Sequence, residues 1–186
     1  VNSGYTYAEA GAVMRMDGGA GEDTLSADYS NQGDAITFAG GTSNDIAFAN
    51  GAWIRGIEVL RDFLSGKGND RITQPGRVDN MISGGEGNDT IAPGLGRDVI
   101  YGGAGDDLLV VDYRQGDGAG VSGVTFDGAY LVRTYTASGT VVDRLTAPGF
   151  ERFQIVGGSK ADRLPGTYGA DTLTGGGGDD SITGDA

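Results

Sequence analysis

The stretch GGEGNDTIAPGLGRDVIYGGAGDDLLV, residues 84–110, is one nine-residue unit written three times without a gap. In each copy glycine stands at the second and fourth positions, aspartate at the sixth, and isoleucine or leucine at the eighth. Outward from it, three more stretches fit the same frame: GGAGEDTLS from Gly18, SGKGNDRIT from Ser65 and GGGGDDSIT from Gly175. Three weaker copies join them. PGRVDNMIS from Pro75 carries Val78 and Asn80 in the second glycine and aspartate positions, GGSKADRLP from Gly157 carries Lys160, and GTYGADTLT from Gly166 carries Thr167. Two arrays result, Ser65 to Val110 with Gln74 as an inserted residue, and Gly157 to Thr183.

The unit dictates a shape. Glycine reaches positive φ at no steric cost, so positions one to six suit a tight turn with its carbonyls crowded together. The residues after it suit a short strand, in which alternate side chains point to the same face. Only the eighth position is always aliphatic: Leu25, Ile72, Ile82, Ile91, Ile100, Leu109, Leu164, Leu173 and Ile182. Two units therefore make one coil of 18 residues, with a turn on each side and a thin apolar ladder between two sheets. No single coil closes a core by itself; it needs neighbours above and below. The fold class expected is all-β, a parallel β-roll, with antiparallel hairpins inserted where the period lapses.

Stacking coils at roughly 4.8 Å brings like charges together. Aspartates on one side recur every second repeat, so Asp70 should face Asp89, Asp89 face Asp107, Asn80 face Asp98, and Asp162 face Asp180. Two carboxylates about 5 Å apart repel by roughly 3 kcal/mol at an effective dielectric constant near 20. Each inward Ile or Leu contributes only about 1.5–3 kcal/mol, while ordering the backbone costs ~1–2 kcal/mol per residue. A hard divalent cation between the turns reverses the sign of the electrostatic term. The donors on offer are carboxylates and backbone carbonyls, in a chain with no His and no Cys. Such an all-oxygen, flexible site favours Ca²⁺ over zinc, copper or magnesium.

Composition agrees. The chain has 186 residues, 37 of them Gly, and a formal net charge of −13. Without Cys there is no disulfide framework or thiol nucleophile, and without His there is no Ser-His-Asp triad. The acidity opposes nucleic-acid binding, which needs a basic face. No apolar run approaches the ~20 residues of a membrane span. The first residues show no signal peptide, and the last array stops inside a repeat, as a piece of a longer chain would.

These units resemble the RTX, or haemolysin-type calcium-binding, repeat GGxGxDxUx. The resemblance covers nine copies, about 80 residues. It implies a right-handed roll with Ca²⁺ held between same-side turns, in a protein secreted by bacteria through a type I apparatus and folding in external calcium. On the matching positions it implies metal ligation by Asp23, Asp70, Asn80, Asp89, Asp98, Asp107, Asp162, Asp171 and Asp180. The carbonyls would come from turns containing Gly66, Gly68, Gly85, Gly87, Gly94, Gly96, Gly103, Gly105, Gly176 and Gly178. Asn80, Val78, Lys160 and Thr167 depart from the pattern and mark weaker sites.

Four segments are expected: 1–64, a first coil and strand-rich stretch; 65–110, an array; 111–156, a second strand-rich stretch; and 157–186, the second array. In the interruptions, Ala35–Phe38, Gly123–Phe126 and Tyr130–Tyr135 alternate as antiparallel strands would. The pairs Gly18 with Asp28–Tyr29 and Gly102 with Asp112–Tyr113 repeat at an offset of 84 residues, a duplicated module. Glu58 and Glu151 occupy equivalent places in it and suit a structural hydrogen bond or a further ligand. The stretch GGTSNDIAF from Gly40 partly fits the repeat, but Ala47 in the apolar position favours a hairpin turn. Phe38, Trp53, Phe63, Phe126, Phe150 and Phe153 are expected to pack; a sugar-stacking surface at Trp53, Tyr130 and Tyr135 is the alternative. Asp106/Asp107 and Asp179/Asp180 are neighbours on a strand-like turn, so their side chains should diverge and not serve as a glycosidase's facing carboxylates. The reading is a non-catalytic, extracellular calcium module. The alternatives are an adhesin or surface-layer segment that binds polysaccharide or a cell-surface partner, or the non-catalytic part of an extracellular enzyme.

Overall fold

The computed structural model describes residues 5–6, 15–40, 46–47, 53–114, 122–127, 130–134 and 138–184. These residues contain strands and no α-helix. In chain order the strands are β1 (Tyr5–Thr6), β2 (Arg15–Asp17), β3 (Thr24–Asp28), β4 (Thr37–Ala39), β5 (Ile46–Ala47) and β6 (Trp53–Arg55). Then come β7 (Val59–Gly66), β8 (Arg71–Thr73), β9 (Met81–Glu86), β10 (Thr90–Ala92), β11 (Arg97–Ala104) and β12 (Leu108–Asp112). The rest are β13 (Thr125–Phe126), β14 (Tyr130–Thr134), β15 (Val141–Thr146), β16 (Arg152–Val156), β17 (Arg163–Pro165), β18 (Thr172–Thr174) and β19 (Ser181–Thr183).

From β7 to β12 consecutive strands alternate between two sheets, as one turn per nine residues requires. The long sheet runs β1-β3-β7-β9-β11-β15-β14-β13-β17-β19, and the short sheet runs β18-β16-β12-β10-β8-β4. A small third sheet, β2-β6-β5, flanks them. Pairing within the arrays is parallel and in repeat register: Ile72 lies beside Ile91, Ile91 beside Leu109, Ile82 beside Ile100, and Leu164 beside Ile182. The fold is thus the parallel roll expected. The second interruption adds β13, β14 and β15 to the long sheet, whereas in the short sheet β12 pairs directly with β16. One sheet thereby continues from the first array into the second.

The core is the ladder between the two sheets. Leu25, Ile72, Ile82, Ile91, Ile100, Leu109 and Leu164 are buried. Leu173 is only partly covered, and Ile182, on the last strand, is 45% exposed. The interruptions thicken this ladder. Phe38 takes the rung beside Ile72, and Phe153 the rung beside Leu109. Phe63, Phe126 and Phe150 are buried too, with Phe126 and Phe153 ring centroids 4.9 Å apart. The duplicated module is visible as geometry. Tyr29 and Tyr113 are both buried, and their amides donate to the equivalent carbonyls of Leu64 and Val156 at 2.9 Å.

One reading of the interruptions changes. Ala35–Phe38 does not form an antiparallel hairpin; β4 pairs parallel with β8. The cause is that Phe38 fills an eighth-position rung, while the Ile36 amide is held by the Asp70 carboxylate at 2.6 Å. Around Tyr130 the expectation holds, since β14 is antiparallel to both β13 and β15, although β13 also pairs parallel with β17. Tyr135 and residues 41–45 of the Gly40 stretch lie outside the described residues.

Truncating a central rung tests this core. Ile91→Ala is expected to cost about 2–5 kcal/mol, measured by urea denaturation in calcium. Tyr101→Ala, at an outward position of β11 that is 48% exposed, should stay within about 0.5 kcal/mol. Equal losses at both positions would contradict the ladder.

Candidate metal centre

The turns of the roll line up along two edges. Those leading from the long to the short sheet, at 65–70, 84–89, 102–107 and 166–171, form the first edge. Those leading back, at 75–80, 93–98, 157–162 and 175–180, form the second, joined by the 18–23 turn that leads from the third sheet into β3. Glycine permits both. Gly85 and Gly103 have φ of 103° and 123°. A Cβ on Gly103 would stand 2.0 Å from the Gly85 carbonyl oxygen, and one on Gly85 would stand 2.0 Å from that of Gly66. Only hydrogen fits there, so the carbonyls of one turn point along the stack at the next.

The sixth-position side chains form a ladder of their own. On the first edge the amide of Ile36 donates to Asp70 Oδ1, and that of Asp70 to Asp89 Oδ1 at 2.8 Å. The amide of Asp89 donates to Asp107 Oδ1 at 2.8 Å, and that of Asp107 to Glu151 Oε2 at 2.9 Å. On the second edge Asp23 donates to Glu58 Oε2 at 2.9 Å, Asn80 to Asp98 Oδ1 at 2.9 Å, and Asp162 to Asp180 Oδ1 at 3.0 Å. Every facing pair read from the spacing is therefore present, including the 19-residue step from Asp70 to Asp89 across Gln74. Glu58 and Glu151 make the structural hydrogen bond that was one of their two expected roles.

Asp70, Asp89 and Asp107 each use one oxygen in this way. Their other oxygen, Oδ2, is buried and has no hydrogen-bond partner, and the same is true of Asp23 Oδ2. Leaving such an atom unpaired costs about 1–3 kcal/mol, and more when it is charged. These oxygens look into the glycine turns. A Cβ on Gly84 would lie 2.2 Å from Asp89 Oδ2 and 2.4 Å from the Gly102 carbonyl oxygen. On the second edge a Cβ on Gly157 would lie 2.0 Å from Asp162 Oδ2 and 2.2 Å from the Gly175 carbonyl oxygen. Carboxylate and carbonyl thus converge from successive coils on a cradle that a side chain would fill. Among the described residues no three carboxylates cluster closely enough to hold a metal by side chains alone. The remaining donors have to be carbonyls, and an oxygen set of that kind suits a hard cation.

The electrostatics lean the same way. Burial pushes the Asp89 carboxyl up to about 7, and the charges of Asp70 and Asp107 add to the shift. Burial also raises Asp70 and Asp107, and takes Asp98 to about 7. No ion pair relieves Asp70, Asp89 or Asp107 among the described residues. Lys67 and Arg152 reach instead to the exposed Glu86 and Asp106, at 3.1 and 2.8 Å. Asp106 and Asp107 indeed diverge, the first exposed and the second fully buried.

Other positions differ. Asp162 Oδ1 takes the Val124 amide and its Oδ2 the Gly158 amide, at 2.6 and 2.8 Å. Asp171 Oδ1 takes the Phe153 amide, and its Oδ2 takes the amide and hydroxyl of Thr167. The threonine in a glycine position therefore spends that carboxylate internally. A second ladder, at position five, is absent from the reading of the spacing. Asn69 Oδ1 takes the Asn88 amide at 2.8 Å, and Asn88 Oδ1 the Asp106 amide at 3.0 Å. Its signal is the recurrence of Asn or Asp just before the sixth-position aspartate. Trp53 is half-buried with the Arg55 guanidinium 4.7 Å above its ring, and Arg55 pairs with Asp17, which favours packing over sugar stacking.

The sequence profile of the RTX calcium-binding nonapeptide repeat matches four copies in this chain, over residues 15–31, 76–109 and 156–186. The chain carries RTX repeats. RTX repeats bind Ca²⁺. No curated protein matches the chain.

A pH test follows for the metal-stripped protein. Asp89 and Asp98 keep protons up to about 7 in the roll but lose them near 3.8 in the unfolded chain. Between those values the folded form binds more protons, so stability falls as pH rises through that window. The residual sheet that circular dichroism detects in chelator is expected to be greater at pH 5 than at pH 8; the opposite order would contradict the buried ladder.

Proposed function

We propose that this chain is a non-catalytic calcium-binding module of a secreted bacterial protein, and that it closes into the roll on meeting extracellular calcium. The observation that carries this is the row of buried, partnerless Oδ2 atoms of Asp70, Asp89 and Asp107 along one edge. On this reading those aspartates, with carbonyls of the turns containing Gly66, Gly68, Gly85, Gly87, Gly103 and Gly105, hold the ions of the first edge. Asp23 and Asp180, with the Gly176 and Gly178 turn, serve the ends of the second. Asp162 and Asp171 contribute least, because amides already satisfy both oxygens of each.

When bound, the cation supplies positive charge between carboxylates that otherwise repel. The chain supplies the rest: glycine brings the carbonyls in, the amide ladder orients each carboxylate, and the rungs exclude water. Binding free energy then becomes folding free energy. Extracellular calcium modules bind on the order of 10⁻⁴–10⁻³ M, which would leave the chain open in a cell and closed outside it.

Circular dichroism in chelator is expected to show a largely unstructured chain that regains sheet on adding calcium. A fully folded spectrum in chelator would defeat the proposal. Asp89→Ala and Asp107→Ala should each raise the calcium midpoint, by about ten- to a hundredfold for the loss of one charge-assisted contact. Asp34→Ala, at an exposed position, should leave it unchanged; equal shifts in all three would remove the assignment to the ladder.

A further inference from the structure

The middle of the second edge offers a different set of donors. We propose that Asn80 stands where the first edge needs a cation, with Arg77 alongside it, so that the turns at 75–80 and 93–98 are held together without calcium. The inference rests on the calcium reading above and assigns these positions differently from the repeat pattern, which would count Asn80, Gly94, Gly96 and Asp98 among the ligands.

Asn80 occupies the sixth position of its repeat. Its amide oxygen behaves as an aspartate oxygen does, accepting the Leu60 amide at 3.0 Å. The other half of the side chain behaves in the opposite way. Nδ2 donates to the carbonyl oxygens of Val78 and Pro93, at 3.2 and 3.1 Å, and to Asp98 Oδ1 at 3.0 Å. Oxygens from two successive turns and a carboxylate are thus gathered around one NH₂ group. On the first edge the equivalent atom is Oδ2 of Asp89 or Asp107, with no donor at all. Exchanging one oxygen for NH₂ converts a set that attracts a cation into one already satisfied. It also removes a negative charge from the line.

Arg77 completes the substitution. It sits at the third position of the same repeat, and its guanidinium reaches past the 93–98 turn to pair with Asp143 Oδ1. Asp143 is buried, with its side chain 1% exposed, and the same oxygen accepts the Gly96 amide at 3.2 Å. Asp143, level with Gly96 and two residues short of the Asp98 rung, thus has its charge met by a cation that belongs to the chain. Among the described residues nothing comparable reaches Asp70, Asp89 or Asp107, since Lys67 and Arg152 pair with exposed carboxylates outside the line. The two edges of one roll are closed by different means.

Two measurements on the full chain test this. Crystals of the wild-type protein grown in calcium, with anomalous data, should show ions in the first-edge turns at 84–89 and 102–107. They should show none between 75–80 and 93–98. Equilibrium dialysis with atomic emission should count one more calcium per chain in Asn80→Asp than in wild type, because the new Oδ2 faces the oxygens that Nδ2 now satisfies. A wild-type ion in the Asn80 turn overturns the proposal, as does an unchanged count in a folded Asn80→Asp. Should that variant fail to fold, the wild-type map decides alone. Wild-type protein that binds no calcium anywhere would instead overturn the functional reading, and the two failures are told apart by that count.

Discussion

A carboxylate shared between two coils governs this molecule. One oxygen of each sixth-position side chain accepts the amide of the coil before it; the other is turned into a glycine-walled cradle facing carbonyl oxygens. The first contact sets the register of the stack, and the second makes that register electrostatically costly. Glycine at positions two and four is what allows both in the stacked turns from 84 to 107, because a side chain there would meet the neighbouring carbonyl. The apolar ladder alone is too thin to offset a line of buried negative charge. On the proposed reading, tertiary structure and metal binding are two descriptions of one equilibrium.

Much of this was legible in the residues. Nine-residue spacing placed Leu25, Ile72, Ile82, Ile91, Ile100, Leu109 and Leu164 in the core, and arithmetic on the spacing paired Asp89 with Asp107 and Asn80 with Asp98. The misreading of Ala35–Phe38 has a physical source. Alternation reports a half-buried strand but not the direction of its partner, and here Asp70 captures the Ile36 amide and draws the strand into the parallel sheet. Glu58 and Glu151 were visible as equivalent residues, yet their ladder role needed coordinates, since an extra methylene does not announce that it replaces an aspartate. The Asn69–Asn88–Asp106 line was missed because position five tolerates Arg97 and Glu22 as well, which blurs its pattern.

The interruptions are more than spacers. They return to the roll in register, with Phe38 and Phe153 replacing aliphatic rungs and Glu58 and Glu151 replacing aspartates. The bulkier rings widen a core that the repeats alone leave one residue thick. The 84-residue duplication places Tyr29 and Tyr113 alike, each buried with its amide on the strand that follows the interruption. Between the two copies, the asparagine and arginine of the second edge relieve the stack of part of its negative charge. Charge density along this fold is thus distributed unevenly, concentrated on the edge formed by the 65–70, 84–89 and 102–107 turns.

The most direct measurement of the central claim is hydrogen exchange at the amides of Asp70 and Asp89, which donate to the carboxylate of the next coil. In calcium both amides are expected to be strongly protected, and in chelator to exchange at close to the rate of an open chain. Equal protection with and without calcium would show that the carboxylate ladder holds without a cation, and would contradict the account.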